Sequence, residues 1–274
     1  DDEWGEWFDA GSFLHAGIPA IVVAGNHEHL SLEDADGNEW YELADLWKVH
    51  FANLPDNGLS ELPHTVYYTR YQDVLFVVLD STMALEDPSL AELQANWLED
   101  VLANNPSRWT IISHHHPIYS VSMGRDNAVL REYWKPIYDR HGVDLVLQGH
   151  DHVYGRGANI GEGATVLDGE AGPVYVVSVA GPKMYLISDD ARIAQDRVGE
   201  DVQLYQIIHV EADRLLFESR TATGGLYDAF DIVRQADGSK NFIERGDEFV
   251  DEQICGNPDK PRPTRCWNGV ELVY

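Results

Sequence analysis

Val143-Asp144-Leu145-Val146-Leu147-Gln148-Gly149-His150-Asp151-His152-Val153-Tyr154-Gly155-Arg156 sets an apolar run directly against a polar cluster that holds two histidines two positions apart. The run Val143–Leu147 suits a strand covered on both faces, because such strands read as continuous apolar stretches and not as alternation. The same design occurs twice upstream. Ile21-Val22-Val23-Ala24 is followed by Gly25-Asn26-His27-Glu28, and Thr110-Ile111-Ile112-Ser113 by His114-His115-His116-Pro117. In a parallel α/β sheet the carboxyl ends of the strands share one edge, where ligands bind. Three imidazole-bearing loops are therefore predicted to converge there. Imidazole is the commonest protein ligand for zinc, iron and similar ions. The His150-x-His152 spacing can serve adjacent ions, Asn26 offers a neutral amide oxygen, and the preceding glycines permit close backbone approach. His114 is set aside as structural, since three consecutive histidines cannot all point inward; so are His15, His29, His50, His64, His141 and His209.

Outward from these clusters, four apolar runs read as buried strands: Ile18–Ala24, Val74–Leu79, Trp109–Ser113 and Val143–Leu147. Amphipathic stretches at Glu39–Phe51, Ser89–Ala103 and Ala128–Arg140 read as helices. In the second of these, Leu90, Leu93, Trp97 and Val101 share one face and Pro88 stands where it can start the helix. The alternation indicates α/β architecture. After Gly155 the pattern changes to strands, with Pro173–Ala180, Val202–Val210, Arg214–Arg220 and Gly225–Val233 in succession. Glu211-Ala212-Asp213 is the expected hairpin connection. The final stretch, rich in Asp, Gly and Pro, is expected to be irregular.

The chain has 274 residues, 44% of them hydrophobic, and carries 47 acidic against 19 basic residues, a formal charge of −28. Nucleic-acid binding depends on Lys and Arg displacing counterions, so a surface this acidic excludes it. Anionic membrane surfaces are disfavoured for the same reason, and no apolar run approaches the roughly 20 residues needed to span a bilayer. An anionic substrate would need strong local positive charge, which bound cations would supply. The two cysteines, Cys255 and Cys266, bracket the Pro-rich loop CGNPDKPRPTRC, a plausible short disulfide, which suggests an oxidising compartment. A secreted or periplasmic location is the corresponding expectation.

The three clusters resemble the last three of the five motifs of calcineurin-like metallophosphoesterases, and the purple acid phosphatase-like branch in particular. Leu79-Asp80-Ser81, Leu93-Gln94-x-x-Trp97-Leu98 and His115-His116-Pro117-Ile118-Tyr119-Ser120 add to the likeness, which is specific from about Pro19 to Arg156. The resemblance implies an α/β fold of mixed β-sheets flanked by helices, in a phosphoesterase sandwich. It implies a single catalytic domain over 1–274, of which 157–274 is the β-rich C-terminal part. It also implies that Asn26, His115 and His150 bind one metal and His152 the other. His115 is preferred over its neighbours because the family's ligand sits two residues before the motif proline, here Pro117. His27 would be a non-ligand that hydrogen-bonds the phosphate or protonates the departing alkoxide.

The implied activity is metal-dependent hydrolysis of small phosphate esters, acid phosphatase-like, with two divalent or mixed-valence transition metal ions (Fe, Zn or Mn). The alternatives are a nucleotidase or phosphodiesterase of the same fold and, from another class, a truncated, non-catalytic metal-binding domain. One departure bears on that choice. The two earlier motifs, Asp-x-His and Gly-Asp-x-x-Asp (or Tyr), have no counterpart in Asp1–Ala16, so the chain is expected to begin just after them and to lack the N-terminal part of the fold.

Overall fold

A computed structural model describes residues 2–158, 172–245, 249–255, 266–267 and 272–273. Its strands are β1 (His29–Glu33), β2 (Glu39–Leu43), β3 (Tyr67–Tyr71), β4 (Val74–Val78), β5 (Trp109–Ser113), β6 (Leu145–Gln148), β7 (Tyr154–Ala158), β8 (Val174–Val177), β9 (Arg197–Gly199), β10 (Leu204–Val210), β11 (Arg214–Thr221), β12 (Leu226–Arg234), β13 (Lys240–Glu244), β14 (Cys266–Trp267) and β15 (Leu272–Val273). The helices are α1 (Asp2–Ala10), α2 (Ser12–His15), α3 (Asp45–His50), α4 (Ser81–Glu86), α5 (Pro88–Asn104), α6 (Ala128–Tyr133), α7 (Lys135–His141) and α8 (Asp189–Ala194).

Seven strands form a mixed sheet in the order β3-β4-β5-β6-β8-β7-β9, and β10-β11-β12-β13 form an antiparallel meander. Strands β4, β5, β6 and β8 are parallel. Alternation along them divides the core. Leu75, Val77, Ile112, Val146 and Tyr175 face helices α4 to α7, packing on Ala84, Leu98, Leu130, Trp134 and Tyr138. Val74, Trp109, Ile111, Leu145, Val174 and Val176 face the meander, against Leu215, Phe217, Tyr227, Phe230 and Ile232. The large sheet is thus covered on both faces, which is why its central strands are apolar throughout. No helix among the described residues is long and apolar enough to cross a membrane.

A buried cation fastens β7 to the meander. Arg156 is fully buried and donates from Nε and Nη2 to the two Asp228 carboxylate oxygens, at 2.9 Å each. It also reaches Glu244 through Nη1 and Nη2 at 3.0 and 2.6 Å, while the Tyr154 hydroxyl donates to Asp228 at 2.7 Å. Two positions of the strand that follows His152 are therefore locked into the second sheet.

Several expectations are corrected. Ile18–Ala24 forms no strand, and Ile18 and Ile21 are 59% and 41% exposed. Its backbone is held by a side chain instead of a ladder. The Val22 N–H donates to the Tyr67 hydroxyl at 3.0 Å, and that hydroxyl donates to the Val22 carbonyl at 2.6 Å. Glu39–Phe51 is not one helix: β2 pairs with β1 and α3 follows. The turn chemistry of Asp34-Ala35-Asp36-Gly37-Asn38 overrides the helical periodicity there. Asp34 Oδ1 accepts the Asp36 and Asn38 amides, and Gly37 takes φ 83°. Ala128–Arg140 divides into α6 and α7, with Pro136 in the first turn of α7. In α5 the buried face runs through Ala91, Gln94, Ala95, Leu98, Val101 and Leu102; of the expected face, Val101 is buried in the core and Leu90 and Trp97 pack half-buried against it. The Glu211–Asp213 connection closes β10 on β11 as expected, whereas β13 was not foreseen. Cys255 is disulfide-bonded, and Cys266 is the only other cysteine in the sequence. The interior of the loop between them lies outside the described residues.

Candidate metal centre

The parallel register aligns Val78 with Ser113 and Ser113 with Leu147, so β4, β5 and β6 end at one edge of the sheet. There β4 delivers Asp80 and Ser81, β5 delivers His114 to His116, and β6 delivers His150 to His152. The Gly149 N–H donates to the His115 carbonyl at 2.9 Å, tying the last two loops together. His150 has φ 64°, a left-handed conformation that is costly for a residue with a side chain and is used here at the turn into the cluster. Asn26 and His27 arrive on a short 3-10 turn, Asn26–Glu28. A Cβ at Gly25 would lie 2.9 Å from the His115 ring, so glycine is required where the two loops touch.

Three predicted ligands meet. Asn26 Oδ1 lies 2.8 Å from His115 Nε2 and 3.2 Å from His150 Nδ1, and the two ring nitrogens are 3.1 Å apart. Donor atoms sharing one ion at about 2.1 Å lie roughly 3.0–3.4 Å apart, depending on geometry. The triangle therefore has the edge lengths of a coordination polyhedron, and its donor set, two imidazoles and an amide oxygen, suits a transition metal ion. Burial first, and then the neighbouring cationic groups, push His115 down to about 3 and His150 down to about 4, so both rings are neutral and ligand-competent near pH 7. The residues present fit one ion.

His116 joins this cluster although the sequence reading left it out. It forms with His115 and His150 the one group of three or more potential ligand side chains among the described residues, and no carboxylate belongs to it. Its backbone N–H donates to Ser81 Oγ at 2.8 Å, and its Nδ1 lies 3.0 Å from the same hydroxyl. His152 stands outside the group. Its Nδ1–H donates to the Lys183 carbonyl at 2.7 Å, which leaves Nε2 unprotonated and available. His27 is exposed, yet close enough that a positive charge on it would disfavour protonation of His115 and His150. Beside it opens a cavity of about 730 Å³ lined by Trp4, Trp7, Ile21, Val23, Trp47 and Phe51. His114 is buried and structural, as read: Nδ1–H donates to the His116 carbonyl at 2.8 Å, and burial pushes its pKa down to about 3.

Around the cluster lie groups the sequence reading missed. His29 is buried and bridges the carbonyl of Gly25, at 2.9 Å from Nδ1, to Asp80, at 3.1 Å from Nε2. Burial works against a charged His29 ring, but Asp80 outweighs it and raises the pKa. The Asp80-Ser81 turn thus tethers two loops at once, the Asn26 loop through His29 and the His116 loop through the serine hydroxyl. The only signal in the sequence was Leu79-Asp80-Ser81, which entered as part of the family likeness without a role assigned to it. Asp151, between the two histidines, accepts the Val121 and Ser122 amides at 2.6 and 3.0 Å, and its other oxygen accepts from Arg125 at 3.0 Å.

The family model for calcineurin-like phosphoesterases matches residues 1–154, more than half of the chain. The chain belongs to that family. Within this phosphoesterase family its relatives place it in the purple acid phosphatase-like branch. Human tartrate-resistant acid phosphatase type 5 is 26% identical over 173 residues, covering 60% of this chain and 49% of that protein. Purple acid phosphatase 15 of Arabidopsis thaliana is 30% identical over 182 residues, covering 64% and 31%. An uncharacterised protein of Mycobacterium tuberculosis is 28% identical over 168 residues, covering 56% and 30%. The chain thus spans 30–49% of the length of these curated relatives. Among solved structures, a purple acid phosphatase from yellow lupin seeds superposes with a TM-score of 0.50 at 20% identity, covering 63% of this chain and 33% of that one. PhoD gives 0.52 at 13%, covering 76% and 50%. These two share the phosphoesterase fold, with its mixed sheets flanked by helices.

Proposed function

We propose that this chain carries the metal-binding core of an acid phosphatase-like phosphomonoesterase acting on small phosphate esters. The observation that carries the reading is the Asn26–His115–His150 triangle, three neutral donors 2.8–3.2 Å apart at the carboxyl edge of a parallel sheet. Asn26, His115 and His150 would hold one ion and His152 would contribute to a second. Divalent or mixed-valence Fe, Zn or Mn ions, when bound, would neutralise phosphate charge and acidify water. The protein's own contribution is to orient these donors, through the Asp80–His29–Gly25 and Ser81–His116 tethers, and to present His27. That imidazole, outside the ligand triangle and open to solvent, would hydrogen-bond a phosphate oxygen or hand a proton to the departing alkoxide. The core shared by the large sheet and the meander supports treating 1–274 as one catalytic domain. The disulfide at Cys255 supports a secreted or periplasmic location.

One observation favours the second reading, a metal-binding domain without turnover: no carboxylate joins the histidine cluster among the described residues, and a bridged pair of ions calls for one. The deciding experiment loads the purified chain with zinc, manganese or iron, counts bound ions, and follows phosphate release from an aryl phosphate. Two ions per chain with turnover supports the phosphatase. One ion without turnover overturns it in favour of the binding domain.

A further inference from the structure

Beside the His150–His152 loop, two cations share one aromatic ring. The Arg125 guanidinium lies 4.8 Å from the centroid of Tyr185 and the Lys183 ammonium 5.4 Å from it. The Tyr185 ring in turn lies 4.6 Å from that of His152. Arg125 is anchored by Nη1, which donates to the His150 carbonyl at 3.1 Å and to Asp151 at 3.0 Å. Lys183 is anchored by its backbone, whose carbonyl takes the His152 Nδ1–H, and its side chain forms no ion pair with a carboxylate among the described residues. In a chain with 47 acidic residues against 19 basic ones, this exposed lysine stands beside the histidine cluster with no acidic partner among the described residues.

The two charges are tied to the histidine loop at different points. Arg125 bonds the His150 backbone itself, next to the triangle, whereas Lys183 is joined to the loop through His152 and lies over Tyr185. Charges elsewhere on the acidic surface are largely screened beyond roughly 8–10 Å at ordinary salt, so a bound anion would be governed by these near cations. We propose that Lys183, supported on Tyr185 and backed by Arg125, forms a subsite for a second anionic group, favouring phosphate esters whose leaving group carries a carboxylate or another phosphate. This rests on the phosphatase reading of the cluster, and deepens it by naming a substrate class.

The test compares two non-hydrolysable probes, phenylphosphonate and 4-carboxyphenylphosphonate, bound by the zinc-loaded full chain and measured by calorimetry. The wild type should bind the carboxylated probe about two- to fivefold more tightly, the range of a solvent-exposed ion pair, and the preference should shrink at high salt. Lys183→Gln should bring the ratio of affinities to about one, and Lys183→Arg should preserve it. A ratio of one in the wild type, or an unchanged ratio in Lys183→Gln because both probes lose affinity equally, would overturn the subsite. Phosphate release from 4-nitrophenyl phosphate, followed in parallel, addresses the phosphatase reading separately. Its absence alongside a Lys183-dependent ratio counts against the function and for the subsite; turnover with a flat ratio does the reverse.

Discussion

Replacing Arg156 with methionine should destabilise the protein by about 3–5 kcal/mol, the usual cost of stripping one partner from a buried ion pair. Methionine occupies part of the space of the arginine stem, so the loss is electrostatic more than steric. Glu244 and Asp196, whose side chains are 48% and 28% exposed, can turn toward water when the guanidinium goes. Asp228 cannot, because its side chain is 0% exposed and among the described residues its carboxylate keeps only the Tyr154 hydroxyl at 2.7 Å. The penalty therefore concentrates on one carboxylate. Burial opposes the charge on Arg156, but Asp228 and then Glu244 outweigh it and raise its pKa, so the wild-type arginine remains a cation. Adding Asp228→Leu to Arg156→Met should restore most of the stability, since removing both members of a buried pair is often close to neutral. Urea unfolding followed by far-UV circular dichroism and tryptophan fluorescence gives both values, and coincident transitions would license a two-state treatment. A loss below about 1 kcal/mol in the single variant, or no recovery in the double, would refute the idea that one uncompensated carboxylate dominates.

Three further outcomes are expected. His27→Ala should lower kcat on an aryl phosphate by about 10²–10⁴-fold while retaining metal, and His150→Ala should lose metal; equal metal loss in both, by elemental analysis, would sink the division of roles. His29→Ala and Asp80→Ala break the same tether to the Gly25 carbonyl. Each should weaken metal binding by about 10–100-fold in competition with a chelator, and the double variant should be little worse than the worse single one; full additivity would show that they act separately. His114 stays neutral in the folded protein down to about pH 3, whereas in the unfolded chain it takes up a proton below about 6.5. The unfolded state then binds more protons between those values, so the stability of the metal-free protein should fall as pH drops through that window. His114→Leu should flatten the slope between pH 7 and 5, and an unchanged slope in urea unfolding would count against it.

The central strands could be read from the chain because burial on both faces leaves a mark that needs no neighbour to interpret. Trp109–Ser113 is β5 without adjustment, and the three histidine-bearing loops could be listed before any contact was known. Their meeting at one edge followed from the handedness and register common to parallel sheets, even though the first loop arrives without a strand. Other features depended on partners distant in sequence. Whether Ile18–Ala24 joins a ladder is decided by what lies beside it, and there a tyrosine hydroxyl 45 positions away takes the place of a strand. His29 looked like any isolated histidine until folding set it against Asp80, 51 positions on. Arg156 became a lock between sheets only through Asp228 and Glu244, 72 and 88 positions away. Local sequence specifies propensity, periodicity and ligand chemistry, whereas a buried hydrogen bond or ion pair is specified by two groups that only tertiary packing brings within 3 Å and out of water. For the same reason the acidic composition gave no hint that Lys183 and Arg125 would stand together over Tyr185, since a net charge is a sum over the whole chain and a subsite depends on where its few cations are placed.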